Sequence, residues 1–499
     1  MFEDVFEIDS LGVSRVILVS TFALCLPSCS AEAPAEAPEA PDAGARDASA
    51  PPDAGEGALS SEDAGEDARH DLGAPTTPCS VETLSSTAEV SVIGEPIRCG
   101  GDAYGEGAEV ECWHVKLEMG VPQTPDLPTG SPTLDDAVGP TRVAVTLRAP
   151  RGVDLCARRW ISLDSGGMGP GYAIGFGQVG PGEFEQGEPM GDDMVHGYAA
   201  DMGFVTMDIH WQCGRECRGT ALEGWTPELG WASSTGGGGL TGLSSRSRAL
   251  YQWANANNGG ERLCAHSQSS GTGRLTSVLS RYGGEDLFRA VVFDGGPTMS
   301  YSPWICGIDQ GPMGARPSWY GSGGTPQNKA LMDCMYSDSE VWAGCDFDAC
   351  SASRIDPALV RDSPWLFGTD RNWERTSVGV VMGGRDSSNA RHHSALWLQG
   401  WSPSGLSGLG AQSLVVRQGY CRGVDGTYRP DQDQPEIPCS LWDMSTMPAA
   451  DIDGTGYDER LRGVSHSTAW SSLGVEVLSE VMVGDAATEG LCGPALLNR

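Results

Sequence analysis

The sequence predicts an α/β domain built on a doubly wound, mostly parallel sheet, with a cap insertion rich in Cys and aromatic residues. Three observations carry this. First, short and continuously apolar runs recur at Trp160–Leu163, Gly203–Ile209, Leu263–Ala265, Ala290–Phe293 and Val378–Met382. Strands buried on both faces read this way, because neither face can carry polar side chains into water. Second, helix-length segments lie between or after these runs: Met194–Met202, Gly242–Asn255, Gly273–Arg281, Ala390–Gln399 and Ala469–Val481. Such crossovers join parallel strands. Third, Val110–Met119 and Arg142–Arg148 alternate apolar and polar residues, as strands with one wet face do, and they precede the parallel series.

Two segments break the rhythm. Residues 297–365 are rich in Gly, Pro, Ser and Cys and carry Trp304, Trp319, Tyr320, Tyr336, Trp342 and Trp365. This insertion is expected to cap the carboxyl edge of the sheet, with Cys306, Cys334, Cys345 and Cys350 available to staple it. Residues 401–457 are expected to form a second irregular insertion. A last strand is expected near Glu459–Val464. There are no internal repeats and no phosphate loop, and Gly167-Met-Gly-Pro-Gly171 does not complete a dinucleotide-binding spacing.

Ahead of this domain (residues 79–499) lie two segments of other character. Residues 30–78 are almost wholly Ala, Pro, Glu, Asp, Gly and Ser, too poor in apolar surface to offset the entropy of ordering, so a disordered tether is expected. Residues 1–29 hold an apolar run, Val16–Leu26, too short to span a bilayer and preceded by Arg15. Leu26-Pro-Ser-Cys29 resembles a bacterial lipobox, whose cysteine is lipidated after cleavage; a plain signal peptide is the alternative. Acidic residues ahead of Arg15 fit a true start further in. The expected location is therefore outside the cytoplasm, in the cell envelope or secreted, with membrane contact only through a lipid anchor.

Charge and cysteine content agree with export. The net charge is −35, and 16 acidic against 3 basic residues fall within positions 1–78, which leaves −22 for the domain. Such acidity argues against a nucleic-acid partner, which requires clustered Lys and Arg. Of 16 cysteines, fourteen follow the tether, more than a reducing compartment favours. Cys213/Cys217 and Cys345/Cys350 are close enough to close local loops.

The chemistry concentrates at Arg262-Leu-Cys-Ala-His-Ser-Gln-Ser-Ser-Gly-Thr-Gly-Arg274, which runs from a strand through small residues into a helix. A nucleophile on a sharp strand-to-helix turn needs small residues two before and two after it. Centred on Ser269 these are Ser267 and Gly271; centred on Ser267 they are Ala265 and Ser269, with no glycine. The steric argument favours Ser269. The turn Ser267-Gln-Ser-Ser-Gly271 resembles the nucleophile elbow of the α/β-hydrolase superfamily, G-x-S-x-G, with Ser267 in place of the first glycine.

That resemblance implies the rest of a Ser-His-Asp triad. Of eight histidines, His466 lies in Gly463-Val-Ser-His-Ser-Thr-Ala-Trp470, before a C-terminal helix, where the family's general base belongs. Ser377–Asp386 reads as a buried strand ending in Gly-Gly-Arg-Asp and resembles the family's acid loop, so Asp386 is the expected orienter of the imidazole. Asp294, after Ala290–Phe293, is the rival, because some relatives place the acid one strand earlier. Trp160-Ile-Ser-Leu-Asp-Ser-Gly-Gly-Met-Gly169 resembles the HGGG-type oxyanion loop, with Asp164-Ser165 where His-Gly often stands. The implied oxyanion donors are the backbone N–H of Ser270 and of Gly167 or Met168. His210 ends a strand near the same edge and is expected to line the substrate pocket.

Two other motifs carry less. Asp451–Glu459 resembles the start of a calcium loop, but Arg462 stands where an EF-hand needs Glu. His210 with Cys213 and Cys217 lacks a fourth zinc ligand. No cofactor or metal is implied. The expected activity is hydrolysis of a carboxylic ester, small or polymeric. The alternatives are a peptidase on the same triad and a surface-tethered binding protein without catalysis.

Overall fold

The structure, a computed structural model, describes residues 79–99, 109–120, 140–166, 171, 190–213, 217, 220–233, 239–296, 302–306, 326–336, 362–363, 372–383, 410–419, 458–461, 464, 468–484 and 489–497. All of them belong to the compact unit Asp71–Arg499. The expected leader and tether lie outside the described residues, as does the helix expected at 390–399.

Among the described residues, ten strands form one sheet. They are β1 (Val90–Val92), β2 (Ile97–Arg98), β3 (Val110–Met119), β4 (Thr141–Pro150), β5 (Trp160–Asp164), β6 (Val205–His210), β7 (Leu263–Gln268), β8 (Phe288–Asp294), β9 (Asn372–Met382) and β10 (Gly410–Gln418). Their order is β1-β3-β4-β6-β5-β7-β8-β9-β10, with β2 also on β3. The early strands pair antiparallel, and β4 meets β6 antiparallel. From β6 onward every pairing is parallel. Every residue of β5, β6 and β7 is buried, including the polar Asp208, His210, His266 and Gln268, and it is their apolar centres that stand out in the sequence.

Helices cover both faces, as doubly wound topology requires. They are α1 (Met190–Ala200), α2 (Gly239–Asn257), α3 (Ser270–Arg281), the short α4 (Ser302–Ile305), α5 (Pro326–Tyr336) and α6 (Ser472–Val483). Alternate residues of each strand serve opposite layers. Trp160, Leu263, Ala265, Val291 and Phe293 pack with Leu240, Trp253, Leu275 and Val278 of α2 and α3. Ile161, Leu163, Cys264, Ala290 and Val292 pack with Met194, Tyr198, Val477 and Val481 of α1 and α6.

Four disulfides join described cysteines: Cys79–Cys156, Cys99–Cys112, Cys213–Cys217 and Cys264–Cys492. The last ties β7 to the C-terminal segment. Within the expected cap, Cys306 and Cys334 are each disulfide-bonded, and α5 buries Met332, Met335 and Tyr336 in the same layer as α2.

One expectation is corrected. The sequence places the last strand near Glu459–Val464, but Glu459–Leu461 is a 3-10 turn, and the strand at this edge of the sheet is Gly410–Gln418, inside the expected irregular insertion. Its apolar core is only Leu414-Val-Val416, half-covered at the sheet edge, so periodicity alone does not reveal it.

Candidate active site

Reversal of strand order fixes where a site can form. From β5 the chain crosses to β6 on one side, and from β7 it crosses to β8 on the other. The carboxyl ends of the neighbours β5 and β7 therefore lie where successive crossovers diverge, leaving a crevice for a ligand.

Ser269 occupies that point, between β7 and α3. Its backbone has φ 52° and ψ −124°. Among the described residues it is the only non-glycine with positive φ. An L-residue in this conformation is strained, by an amount on the order of 1–3 kcal/mol, and persists only where the surroundings hold it. The holding contacts are visible: Ser269 N–H donates to the Asp294 carbonyl at 3.1 Å, and its own carbonyl accepts from Thr272 N–H at 2.9 Å. The two candidate serines differ in access. Ser267 lies within β7 and is wholly buried, whereas Ser269 is partly exposed. Ser270 is the first residue of α3, where helix geometry supplies no intrahelical acceptor for its N–H.

Gly166, just after β5, lies directly against this turn. A Cβ placed on Gly166 would lie 2.6 Å from Ser269 Cβ. Gln268 Oε1 accepts from Gly166 N–H at 2.9 Å, and Ser165 Oγ accepts from Gly171 N–H at 2.9 Å. Gly271 faces the backbone carbonyls of Asp164 and Ser165 with no room for a side chain. The Arg274 guanidinium grips Asp164 with two hydrogen bonds, Nε to Oδ2 at 2.9 Å and Nη2 to Oδ1 at 2.5 Å. It also donates to the Ser165 carbonyl at 2.7 Å. Gly167 and Met168, the expected donors on this loop, lie outside the described residues.

Asp294 ends β8 and is fully buried. Its carboxylate accepts from Thr468 N–H at 3.0 Å, from the Thr468 hydroxyl, and from Ala469 N–H at 3.3 Å. It thereby caps the 3-10 turn Thr468–Trp470, which begins two residues beyond His466. Upstream, Arg460 binds Asp458 at 2.7 Å and 3.0 Å and reaches Glu476 at 2.9 Å and Glu480 at 2.6 Å on α6. These carboxylates hold the Arg460 guanidinium firmly protonated. Arg460 on one side of His466 in sequence, and Thr468 and Ala469 on the other, are thus each anchored. His466 and Asp386 themselves lie outside the described residues.

His210 is fully buried. Its Nε2 meets Thr146 Oγ1 at 2.8 Å, and that hydroxyl meets His114 Nδ1 at 2.9 Å. The backbone of Gly171 lies against the imidazole, too close for a side chain to intervene. Burial pushes His114 down to about 3, assisted by the nearby His210 and Arg148, and pushes His266, beneath the elbow, down to about 3 as well. Both are neutral at physiological pH. Cys213 and Cys217 are bonded to each other, which removes them as partners of His210 in a zinc site. The remaining cluster of suitable donors among the described residues, Cys79, Asp154 and Cys156, contains the Cys79–Cys156 disulfide.

The sequence reading missed Gln268 and the Asp164–Arg274 pair. Arg274 sits on a helix whose every residue is buried, so neither amphipathic pattern nor spacing marks it.

The strand order, the strained turn between β7 and α3, and helices on both faces define an α/β-hydrolase fold. No protein-family model matches the chain, and no curated protein matches it. Solved structures similar to it include Est1E from Butyrivibrio proteoclasticus, 11% identical with TM-score 0.30, covering 56% of this chain and 85% of that one. A dienelactone hydrolase from Anabaena variabilis is 12% identical with TM-score 0.27, covering 57% and 83%. Oligopeptidase B from Trypanosoma brucei is 12% identical with TM-score 0.36, covering 79% and 39%.

Proposed function

We propose that the chain is a serine hydrolase that cleaves a carboxylic ester through an acyl-Ser269 intermediate. The observation that carries this reading is the backbone of Ser269, forced to φ 52° at the carboxyl edge of the sheet directly beneath the Gly166 loop. A serine with only a structural role has no need of such a conformation. Ser267, sealed within β7, has no comparable access.

In the proposed cycle Ser269 Oγ attacks the ester carbonyl carbon while His466 takes its proton. The oxyanion accepts from the N–H of Ser270 and of Gly167 or Met168. Collapse breaks the acyl–oxygen bond, and His466 returns the proton to the leaving alkoxide. Water, deprotonated by His466, then attacks the acyl-enzyme, releasing the acid and restoring the Ser269 hydroxyl. Asp386 orients the imidazole and stabilises its protonated form. Asp294, with its carboxylate on Thr468 and Ala469, acts as the anchor of the His466 loop. No cofactor enters this scheme.

The site of action that fits is outside the cytoplasm. The four described disulfides support an oxidising compartment, and lipidation at Cys29 would tether the domain to a membrane through the acidic linker. An extracellular ester, small or polymeric, is the proposed substrate class. Turnover of a p-nitrophenyl ester by the purified protein, lost in Ser269→Ala, tests the proposal. A Ser269→Ala variant that retains full turnover overturns it.

A further inference from the structure

We propose that Asp164 and Arg274 form a positioning couple that sets the oxyanion loop against the nucleophile helix. The inference rests on the hydrolase reading above and deepens it. Asp164 is the last residue of β5, immediately before the loop that carries Gly167 and Met168. Arg274 is on α3, the helix that begins at Ser270. The two proposed oxyanion donors therefore belong to two different segments, and this pair is the side-chain link between them.

Its geometry suits that task. Two parallel hydrogen bonds between planar groups fix distance and orientation together. A third bond, from the same Nη2 to the Ser165 carbonyl, extends the grip into the loop. Both side chains are essentially inaccessible to solvent, and the guanidinium stacks on Trp231 with its carbon 4.7 Å from the ring centroid. Burying such a pair sacrifices the hydration of both charges, so an apolar pair could serve stability equally well. What an apolar pair lacks is the directional constraint.

Other contacts converge on the same joint. Gln268, the residue before the nucleophile, holds Gly166 N–H; Ser165 Oγ closes the loop onto Gly171 N–H. Gly271 lets α3 press against the Asp164 carbonyl. Asp164-Ser165 thus has a role of its own here: the first residue binds the helix and the second closes the loop. Neither Asp164 nor Arg274 need touch substrate.

The test is steady-state kinetics of Asp164→Asn, Arg274→Lys and Ser165→Ala on a p-nitrophenyl ester. Rates are expressed per active site titrated with an organophosphonate, alongside thermal melts and pH profiles. The couple predicts that kcat of Arg274→Lys falls about 10²-fold, as when one oxyanion donor is lost, with KM changed less than about threefold and the pKa of the rate profile unmoved. Lysine keeps the charge but not the fork, so this variant carries the test if Asp164→Asn fails to fold. Ser165→Ala should lower kcat about tenfold, since misplacement of a catalytic group by a fraction of an ångström is felt in rate. Variants with a lowered melting temperature and unchanged kcat per titrated site overturn the couple while leaving the hydrolase reading intact. A wild-type protein that neither turns over nor is labelled overturns the hydrolase reading, and the couple's role with it.

Discussion

Replacing Gly271 by Ala inserts one methyl group into the joint between α3 and the loop that follows β5, the proposed nucleophile helix and oxyanion loop. A Cβ at that position would stand 3.0 Å from the Ser165 carbonyl oxygen and 3.2 Å from the Asp164 carbonyl carbon, with the Asp164 oxygen nearer still. Comfortable carbon contacts lie at about 3.5–4.0 Å, so the loop backbone must retreat by about 1 Å. It cannot do so freely, because Asp164 is held by Arg274 and Gly166 by Gln268. Alanine favours a helix over glycine by up to about 1 kcal/mol, whereas overpacking costs about 1–3 kcal/mol; a net loss of about 1–2 kcal/mol is expected. The catalytic effect should be larger. A displacement of about 1 Å between nucleophile and oxyanion donors costs on the order of 10²-fold in rate. Turnover of a p-nitrophenyl ester per titrated site, with a parallel denaturant melt, measures both. A Gly271→Ala variant with kcat within twofold of wild type and undiminished stability would refute the close approach.

Four further perturbations probe other parts of the molecule. Asp386→Asn should lower kcat by about 10⁴-fold, as loss of a triad carboxylate does. Asp294→Asn should cost about tenfold and act mainly on stability, because it weakens the cap on Thr468 and Ala469; the reverse ranking in kinetics and melts would make Asp294 the acid. The Cys264–Cys492 bridge spans 228 residues, for which chain entropy assigns about 5 kcal/mol, so a double Cys→Ala variant should melt at clearly lower guanidinium, and an unshifted midpoint would contradict this. Acidification should destabilise the fold between pH 6.5 and about 3. In that window the unfolded chain protonates His114 and His266 while the folded chain, with both pushed down to about 3, does not. Stability therefore falls as pH falls, by up to about 1.4 kcal/mol per pH unit per histidine, and His266→Gln should flatten the slope of denaturant melts taken from pH 7 to pH 4.

Much of this architecture is readable in the chain because burial writes directly into composition. The strands β5 to β8 lie in the middle of the sheet with both faces covered, so runs such as Val291-Val-Phe293 stand out. The elbow is readable for a steric reason: only small residues at 267 and 271 permit it, and Gly271 faces carbonyl oxygens. What escaped has equally physical causes. The edge strand β10 carries only three apolar residues in succession among Gly, Ser and Gln. Arg274 and Asp164 are 110 positions apart, and a charged residue on a wholly buried helix looks in sequence like one facing solvent. Asp294 stands in the sequence only as a rival acid, because its partners, Thr468 and Ala469, are brought to it only by the fold.

Everything proposed for the site turns on Ser269 as the nucleophile. Peptide mapping of the protein after reaction with a fluorophosphonate probe tests it most directly. A nucleophilic Ser269 gives a single adduct within Leu263–Arg274, fragmenting to Ser269 and not to Ser267. An adduct on Ser267 or on another segment, or an enzyme that turns over esters while Ser269 stays unmodified by an inactivating probe, would contradict it.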